Sequence, residues 1–405
     1  MGKRLQARKE IQVSDKHIGL RIVLFVALLA IGIGFLVYGC VTMDEGYEGW
    51  QRLEISSEEA ICGADIVGEY FCGATEAEAR DEYRAANVIY NRACEEGTAY
   101  FYADGELAKI NAAPNQEVTV SQPVYEALEL MADSRYLYLG PVIGTYEDLF
   151  IAETDMQASQ WDPAKDAETK ASVRAMIAYC SDPQKVSLEL LGDRKVRLKV
   201  SADYLRFAEE NEIDRFIDFG WLTNAFIVDH IADCFQKAGY TNGHFASIDG
   251  FTRNLDDRNI SYDQNIYNRE GRNVDIAGSF SYTKPITMVY VRDYPLSAKD
   301  YGHYYSYQSG DRIVTSYLDP EDGMSKASVH NLVVYSRGKS CAEAALAMAP
   351  VYIADEFSRD ALQALKADGI YGVWFEGQNL YYNEEGLTLT KNIDCMIDYK
   401  FSYCK

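Results

Sequence analysis

The segment IDFGWLTNAFIVDHIADCFQKAGYTNGHFASIDG, residues 217–250, decides the fold more than any other part of the chain. Apolar residues recur at helical spacing from Thr223 onward, which predicts an amphipathic helix. Gly239 stands where a glycine would end that helix in the left-handed conformation. Just before the helix, the mostly apolar residues 216–219 predict a brief strand. The segment therefore predicts a strand, a turn and a helix in succession.

The chain on either side of this segment mixes strand and helix patterns. VSLELLGDRKVRLKV (186–200) alternates apolar and polar residues around Gly192-Asp193, which is typical of a β-hairpin. Further strands are predicted at 64–71, 286–292, 331–336 and 370–375, and a C-terminal hairpin through 383–386. Helices are predicted at 76–94, 123–132, 170–179, 202–210, 341–349 and 360–366. The predicted fold class is α+β, with helices packed on a sheet.

One membrane span is predicted near the N-terminus, at residues 22–43 (IVLFVALLAIGIGFLVYGCVTM). These 22 uncharged residues are enough to cross the hydrocarbon core as a helix. Residues 1–21 carry six basic and two acidic side chains, and such a positive excess favours the cytoplasmic side. We therefore expect a basic cytoplasmic tail (1–21), one transmembrane helix (22–43), a linker (44–60) and an extracytoplasmic domain (61–405) at the cell membrane.

Two other interpretations of the N-terminus remain open. A cleaved signal peptide is one, although no A-x-A-like cleavage site precedes the acidic stretch 44–48. A lipoprotein anchored at Cys40 is the other, because residues 37–40 (VYGC) are an imperfect lipoprotein cleavage motif with a bulky Tyr38 where a small residue is usual. The retained span and the lipid anchor both leave the protein attached to the membrane and facing outward.

The charge of the chain excludes one class of partner. The formal net charge is −23, and the basic tail places the whole acidic excess beyond the span. Such a domain would be repelled by phosphate backbones, so we expect no nucleic-acid binding. A ligand that carries phosphate would need a metal ion or a cluster of backbone N–H groups.

The chain has nine cysteines, eight of them beyond the predicted span and its Cys40. An exported location permits disulfides, and Cys62/Cys72 and Cys395/Cys404 are the locally plausible pairs. The alternative is that several are ordinary buried thiols. No CxxC occurs, and no Cys/His grouping has the spacing of a zinc site.

Generic catalytic motifs are absent from the sequence. There is no G-x-S-x-G, H-E-x-x-H, Walker A or G-x-G-x-x-G. His17 lies in the basic tail, and the other four histidines stand apart from any cysteine or carboxylate pattern: His230, His244, His303 and His330. The motifs alone predict no activity.

The order of five segments, however, resembles the FAD:protein FMN transferase (ApbE-like) family. They are TAYFYADGELAKIN (98–111), VTVSQPVYEA (118–127), residues 217–250, YLDPEDG (317–323) and LVVYSRGKSCAEAALAMA (332–349). In that family a serine-containing loop leads to an S-E-(I/L)-x-x-(I/L)-N segment. A D-L-G-G-I-A-K-G-Y-A-V-D segment follows, and then N-L-G-G-D, H-I-I-D-P-x-x-G and A-D-A-L-A-T-A. The resemblance covers about residues 61 to 392. It implies an ApbE-like, T-fold-related domain that binds FAD with Mg²⁺ and attaches FMN to a Thr or Ser of a target protein.

Transferred residue by residue, the resemblance assigns a candidate site. Asp218, Gly220 and Asp229 match the D-x-G…D skeleton, and N-L-G-G-D becomes residues 247–251. The implied cofactor-binding residues are Asp218, Gly220, Thr223, Asn224, Asp249, Gly250 and Asp319. Glu343 falls at the metal-binding Asp of A-D-A-L-A-T-A and is the implied Mg²⁺ ligand.

Several family residues are replaced in this chain. The second glycine is Trp221, the phosphate-facing lysine is Asn224, and the histidine is Ser316. The threonine falls on Ala347 or Met348, depending on a one-residue gap. Losing a phosphate cation and a metal ligand together removes several kcal/mol of transition-state stabilisation, on the order of what such groups supply.

Three functions follow from this pattern. The protein is an FMN transferase outside the membrane, a non-catalytic relative that binds flavin or a flavoprotein partner in a membrane redox system, or a surface protein that retains only the fold. Bound flavin would separate the first two from the third. Mg²⁺-dependent release of AMP from FAD would separate the first from the second.

Overall fold

The computed structural model describes residues 47–152, 154–271, 273–296, 306–309 and 312–405. The predicted tail and membrane span, residues 1–43, lie outside these residues. Within the described part of the chain, no helix combines the length and the apolar character needed to cross a membrane. Glu48–Lys405 form one structural unit.

The described strands are numbered in chain order. They are β1 (Gly49–Arg52), β2 (Ile66–Cys72), β3 (Glu117–Thr119), β4 (Val186–Gly192), β5 (Lys195–Val200), β6 (Gly243–Ser247), β7 (Phe251–Asn254), β8 (Tyr262–Glu270), β9 (Asn273–Tyr282), β10 (Ile286–Arg292), β11 (Ser306–Ser309), β12 (Arg312–Thr315), β13 (Asn331–Ser336), β14 (Ile370–Glu376), β15 (Asn379–Tyr382), β16 (Thr388–Lys391) and β17 (Lys400–Tyr403). Nine of them form the main sheet, in the order β1-β2-β6-β7-β10-β13-β14-β15-β17. Its neighbours pair antiparallel except β15 and β17, which are parallel.

The described helices are also numbered in chain order. They are α1 (Glu76–Phe101), α2 (Glu106–Asn111), α3 (Gln122–Met131), α4 (Gly140–Phe150), α5 (Asp155–Trp161), α6 (Ala167–Cys180), α7 (Ala202–Glu210), α8 (Thr223–Lys237), α9 (Cys341–Tyr352) and α10 (Arg359–Ala364). Helices α1, α8 and α9 pack beside one another against the main sheet. The three-stranded sheet β16-β9-β8 contributes to a core with the main sheet, through residues such as Ile266, Phe280 and Tyr335. Every residue of β10 and β13 is buried, because a strand covered on both faces has no polar side.

A second core lies among α4, α5, α6 and β12. Its buried residues include Val142, Tyr146, Leu149, Val173 and Val314. Tyr146 Oη also accepts a hydrogen bond from Ser325 N at 3.2 Å, which ties α4 to the turn after β12. This second core supports one wall of the site described below.

Most predicted elements are confirmed. The hairpin at 186–200 forms β4 and β5, and its turn contains positive φ angles at Gly192 and Asp193. The helix predicted from Thr223 is α8, and Gly239 after it has φ +82°. The described chain has the predicted α+β class.

The strand predicted at 216–219 is wrong. The segment is irregular, and its backbone bonds to a side chain instead of to a neighbouring strand. Phe216 N and Ile217 N each donate to Asn111 Oδ1 at 3.0 Å, while Asn111 Nδ2 donates to Ile217 O at 2.9 Å. One asparagine therefore takes the place of a ladder partner, which a local apolar pattern cannot reveal.

Two further predictions, the C-terminal hairpin and the extent of the linker, need correction. The predicted C-terminal hairpin through 383–386 does not form, because β15 pairs with β17 while β16 pairs with β9. Part of the predicted linker 44–60 belongs to the main sheet, because β1 pairs antiparallel with β2. The folded unit thus begins before residue 61.

The two proposed disulfides are also absent from the described structure, where all eight cysteines beyond the predicted span are free thiols. Cys62 instead lies beside α1, and its Sγ donates to Cys94 O at 3.1 Å. Burial raises the pKa of Cys72 and of Cys180 to about 11, which keeps both as neutral thiols at pH 7.

Candidate functional site

A cavity of about 280 Å³ opens where α8 begins. Its walls come from the segment after α1, from α4, from the loop that leads into α8, and from the chain after β12. The lining residues are Asp65, Tyr102, Ala103, Ile143, Tyr146, Glu147, Phe150, Arg215, Asp218, Gly220, Trp221, Thr223, Asn224, Asp249, Ser316, Tyr317 and Leu318. Five residues that the sequence assigned to the site meet here, namely Asp218, Gly220, Thr223, Asn224 and Asp249.

Hydrogen bonds from other segments hold the loop before α8, residues 216–218, in place. Asn111, at the end of α2, binds the backbone of residues 216 and 217 as described above, and is itself buried. Asp218 N then donates to Leu137 O at 2.9 Å. These bonds hold the Asp218 side chain at the cavity edge.

Asp218 serves mainly to shape this loop. Its Oδ1 accepts a hydrogen bond from Gly220 N at 2.7 Å, and its Oδ2 pairs with Arg215 Nη1 at 3.1 Å. Burial raises the pKa of Asp218, and those two hydrogen bonds offset part of the rise. Arg215 also bonds to both carboxylate oxygens of Glu147, at 2.8 and 3.1 Å. The guanidinium charge is thus already matched by two carboxylates.

The turn at Gly220 requires a glycine. Its φ is +55°, and a Cβ there would meet Ile143 Cδ1 at 3.0 Å. Thr223 Oγ1 donates to Gly220 O at 2.8 Å, which closes the turn at the start of α8. Thr223 therefore contributes its hydroxyl to the turn while it lines the cavity.

Asn224 and Asp249 both line the cavity, and their side chains are hydrogen-bonded to each other. Asn224 Nδ2 donates to Asp249 Oδ2 at 3.0 Å. The other carboxylate oxygen, Oδ1, is buried and has no hydrogen-bond partner among the described residues. Burial raises the pKa of Asp249 to about 6, although hydrogen bonds from Ser247 and Asn224 lower it in part. Asp249 therefore lines the cavity with one carboxylate oxygen that has no hydrogen-bond partner among the described residues.

Trp221 provides an aromatic wall. Its ring stacks on Phe251 at a centroid distance of 6.3 Å and meets Tyr317 edge-on at 5.4 Å. Its indole Nε1 is buried and lacks a hydrogen-bond acceptor in the described structure. A tryptophan N–H in such a position usually has a partner, so a ligand acceptor would satisfy it.

The remaining predicted residues do not line the cavity. Gly250 forms the turn between β6 and β7, with φ +108°, and a Cβ there would meet Tyr290 O at 2.1 Å. Asp319 forms the predicted turn that ends at Gly323: its Oδ1 accepts from Glu321 N at 2.8 Å, and its Oδ2 pairs with Lys326 Nζ at 2.7 Å. Both residues have structural roles beside the site.

Glu343 is not brought to the cavity. It is the N3 residue of α9, where Ser340 N donates to its Oε2 at 2.9 Å and Lys339 Nζ lies 3.3 Å from its Oε1. The two residues Ser340 and Glu343 form a capping box. Asp229 accepts from Cys341 N and Ala342 N at 2.9 Å each, so a protein carboxylate already occupies the N-terminus of α9.

Sequence reasoning missed one wall of the site. Glu147 and Phe150 come from α4, which was not predicted, and Tyr102 comes from the end of α1, which extends seven residues beyond its predicted end at Cys94. Pro141 near the start of α4 was the available signal, because proline favours the first helical turn. Nothing in the local pattern links these residues to Asp249.

Comparison with solved structures now gives the fold a known counterpart. An ApbE protein from Thermotoga maritima superposes with a TM-score of 0.53 and 12% sequence identity over 81% of this chain and 94% of that chain. The flavin transferase ApbE from Vibrio cholerae superposes with a TM-score of 0.50 and 13% identity over 81% and 93%. The fold is ApbE-like.

The similarity between this chain and the ApbE structures is found in the three-dimensional structure and not in the sequence. No family model matches the chain, and no curated protein sequence matches it. At identities of 12% and 13%, the shared feature is the arrangement of helices and strands.

Proposed function

We propose that this protein is a membrane-anchored, extracytoplasmic relative of the ApbE flavin transferases that binds a flavin nucleotide with Mg²⁺ and transfers FMN weakly or not at all. The proposal rests on one observation: a cavity in an ApbE-like fold has a tryptophan wall and two buried polar atoms without partners, Trp221 Nε1 and Asp249 Oδ1.

The size and lining of the cavity suit part of such a ligand. Ligand pockets of drug-sized molecules begin at about 300 Å³, so 280 Å³ would hold one flat ring system while the rest of the nucleotide extends outward. The unpartnered indole N–H would donate to a ring carbonyl or nitrogen. Aromatic rings supply flat contact area at small entropic penalty.

The carboxyl groups that line the cavity would repel a phosphate group unless a metal ion bound beside it. Four carboxyl groups line it, those of Asp65, Glu147, Asp218 and Asp249, against the already paired Arg215. A pyrophosphate would be repelled here without a divalent cation. The residue set fits Mg²⁺, which prefers one or two carboxylate oxygens together with phosphate and water.

Asp249 and Asp65 would hold that ion, in place of Glu343. Asp249 Oδ1 is free of protein partners in the described residues, and Asp65 lies near enough to raise the pKa of Asp249. When bound, Mg²⁺ would offset charge on the phosphates. Asn224 orients the Asp249 carboxylate through its 3.0 Å hydrogen bond, and Arg215 holds Asp218 under the turn at Gly220.

Weak transfer follows from the residues that replace the family's reactive groups. Asn224 brings no positive charge, Ser316 has no imidazole, and neither Ala347 nor Met348 offers a hydroxyl oxygen. Ground-state binding through the tryptophan wall and Asp249 would survive these replacements. Stabilisation of a transferred phosphoryl group would not.

The test measures FAD binding by the full-length chain in detergent, by calorimetry with and without Mg²⁺. We expect Mg²⁺-dependent binding, which Asp249→Asn weakens by at least about tenfold, the loss of roughly 1.4 kcal/mol. Trp221→Leu should weaken binding in both conditions. Glu343→Gln is the matched control, because glutamine preserves the capping box and should leave binding unchanged. Binding that survives Asp249→Asn but is lost in Glu343→Gln would refute the assignment.

Activity separates this proposal from its alternatives. We expect little AMP release from FAD and little flavin fluorescence on a denatured acceptor protein. Robust labelling would make the protein an FMN transferase. An absence of FAD binding would favour a non-catalytic partner or assembly protein of a membrane redox system.

The membrane location is proposed from the sequence. The basic residues precede the apolar run 22–43, which favours a cytoplasmic N-terminus. Protease added to intact cells should remove a tag placed after residue 405. Protection of that tag until the membrane is opened would reverse the orientation.

A further inference from the structure

A second group of ligating side chains lies on the two helices α1 and α8. Glu96 is on α1, while His230 and Cys234 are on α8, and one ligand atom of each lies within 4.8 Å of the other two. His230 Nε2 is 3.0 Å from Glu96 Oε2 and 3.7 Å from Cys234 Sγ. The earlier expectation that His230 stands apart from cysteine and carboxylate groups is therefore wrong in three dimensions.

The sequence explains why these three side chains meet. His230 and Cys234 are four residues apart, so they lie on the same face of α8. Gly97 follows Glu96 on α1, and a Cβ there would meet Ile227 Cγ2 at 2.9 Å. The glycine lets the two helices approach closely enough for the carboxylate of one to reach the imidazole of the other.

We propose that Glu96, His230 and Cys234 bind a divalent transition-metal ion of the zinc class, with water as the fourth ligand. One nitrogen, one sulfur and one oxygen donor make a three-ligand set of the kind that zinc accepts, and a thiolate excludes Mg²⁺ and Ca²⁺ as the preferred ions. The thiolate and the carboxylate together balance the two positive charges. Binding releases the Cys234 thiol proton to solvent.

The surroundings favour this assignment. Arg92 Nε bonds to Glu96 Oε1 at 2.9 Å, which orients the carboxylate and leaves Oε2 directed at His230. The His230 ring makes edge-on contacts with two aromatic neighbours, with centroid distances of 5.6 Å to Tyr100 and 6.2 Å to Phe101. His230 is largely buried, whereas Cys234 and Glu96 are partly exposed, so an ion and its water can enter from solvent.

The position of this site links it to the cavity. The first turn of α8 carries Thr223 and Asn224 into the cavity lining, and the chain leaves α1 through Tyr102 and Ala103, which also line it. An ion coordinated by both helices would therefore fix two of the cavity walls relative to each other. Its own ligands are separate from Asp249 and Asp65.

The experiment uses full-length protein in detergent, stripped with a chelator and kept reduced, with Co²⁺ as the probe and Zn²⁺ as the competitor. We expect one Co²⁺ per chain, a thiolate-to-cobalt charge-transfer band, loss of that band when Zn²⁺ is added, and a rise in Tm with Zn²⁺. Cys234→Ala should abolish the band. Glu96→Gln should keep a band but weaken Co²⁺ affinity by at least about tenfold.

Cys395→Ala is the matched control, because Cys395 is a partly exposed thiol outside the cluster. It should retain the band, the stoichiometry and the rise in Tm. If the wild type shows no charge-transfer band, or if Cys234→Ala retains the band, the proposal is overturned. Equal Co²⁺ affinity in the wild type and Glu96→Gln would likewise remove Glu96 from the site and refute the three-residue assignment.

Discussion

Replacing Asn111 by alanine tests how the candidate site is held. The side chain satisfies three backbone groups of the loop before α8, namely Phe216 N, Ile217 N and Ile217 O, at 2.9 to 3.0 Å. Asn111, Phe216 and Ile217 are all buried, so water cannot easily replace the amide. Each buried backbone group left without a partner costs about 1 to 3 kcal/mol.

Three such groups imply that Asn111→Ala lowers the free energy of unfolding by about 3 to 4 kcal/mol, once partial relaxation of the loop is allowed. The loop also carries Asp218 and Gly220 to the cavity, so FAD affinity should fall at the same time. Equilibrium unfolding in urea, followed by tryptophan fluorescence of the full-length chain in detergent, measures the first effect. Calorimetry under conditions where the variant remains folded measures the second.

The matched control is Asn211→Ala. Asn211 is exposed, and within the described part of the chain its Nδ2 donates only to Phe207 O, at 2.8 Å. Substitution there should change the free energy of unfolding by less than about 0.5 kcal/mol. If Asn111→Ala is as mild as Asn211→Ala, or if it destabilises the protein and leaves FAD binding intact, the loop is not held as described.

Four further outcomes are expected. Gly250→Ala should destabilise the protein by at least about 2 kcal/mol in urea unfolding, because its φ is +108° and the new Cβ would meet Tyr290 O at 2.1 Å. Asp249 has a pKa raised to about 6 in the folded protein, so the folded state holds a proton that the unfolded state has released. Its contribution to stability should therefore fall as pH rises from about 4 to about 6 and stay constant above, and Asp249→Asn should remove that slope. Mg²⁺ stimulation of FAD binding should weaken below about pH 6, where Asp249 is protonated; an unchanged Mg²⁺ effect at pH 5 would argue against Asp249 as a ligand. Asn224→Lys alone should not produce FMN transfer in the fluorescent acceptor assay, because Ser316 still supplies no imidazole.

The sequence was informative where local rules decide the structure. Helix α8 followed from apolar spacing and its terminal Gly239, and the hairpin β4–β5 followed from alternation around a Gly-Asp turn. The same rules failed at residues 216–219, where a distant asparagine satisfies the backbone. They also failed at β16, whose partner β9 lies more than a hundred residues earlier in the chain.

The candidate site was partly predictable for the same reason. The five predicted residues that line the cavity belong to segment 217–250, whose turn, helix and following strand bring them together. Glu343 could not be judged from its motif, because a carboxylate three residues after a serine forms a capping box as readily as it binds a metal. His230 and Cys234 are an i, i+4 pair that the sequence-based prediction did not recognise, and Glu96 is 134 residues from His230 in sequence.

The proposal that Asn224 replaces a lysine of the ApbE family agrees with the charges of the other residues in the cavity. A lysine at that position could neutralise Asp249, whereas Asn224 donates one hydrogen bond and leaves Asp249 Oδ1 without a partner in the described residues. Arg215 supplies no compensating charge, because Glu147 and Asp218 already bind it. The four carboxyl groups that line the cavity therefore outnumber the cations beside them, which are Arg215 in the lining and Arg292, whose charge lowers the pKa of Asp249. We therefore expect an anionic ligand to bind at this site together with a cation, and the Mg²⁺ dependence of the proposed FAD binding tests that expectation.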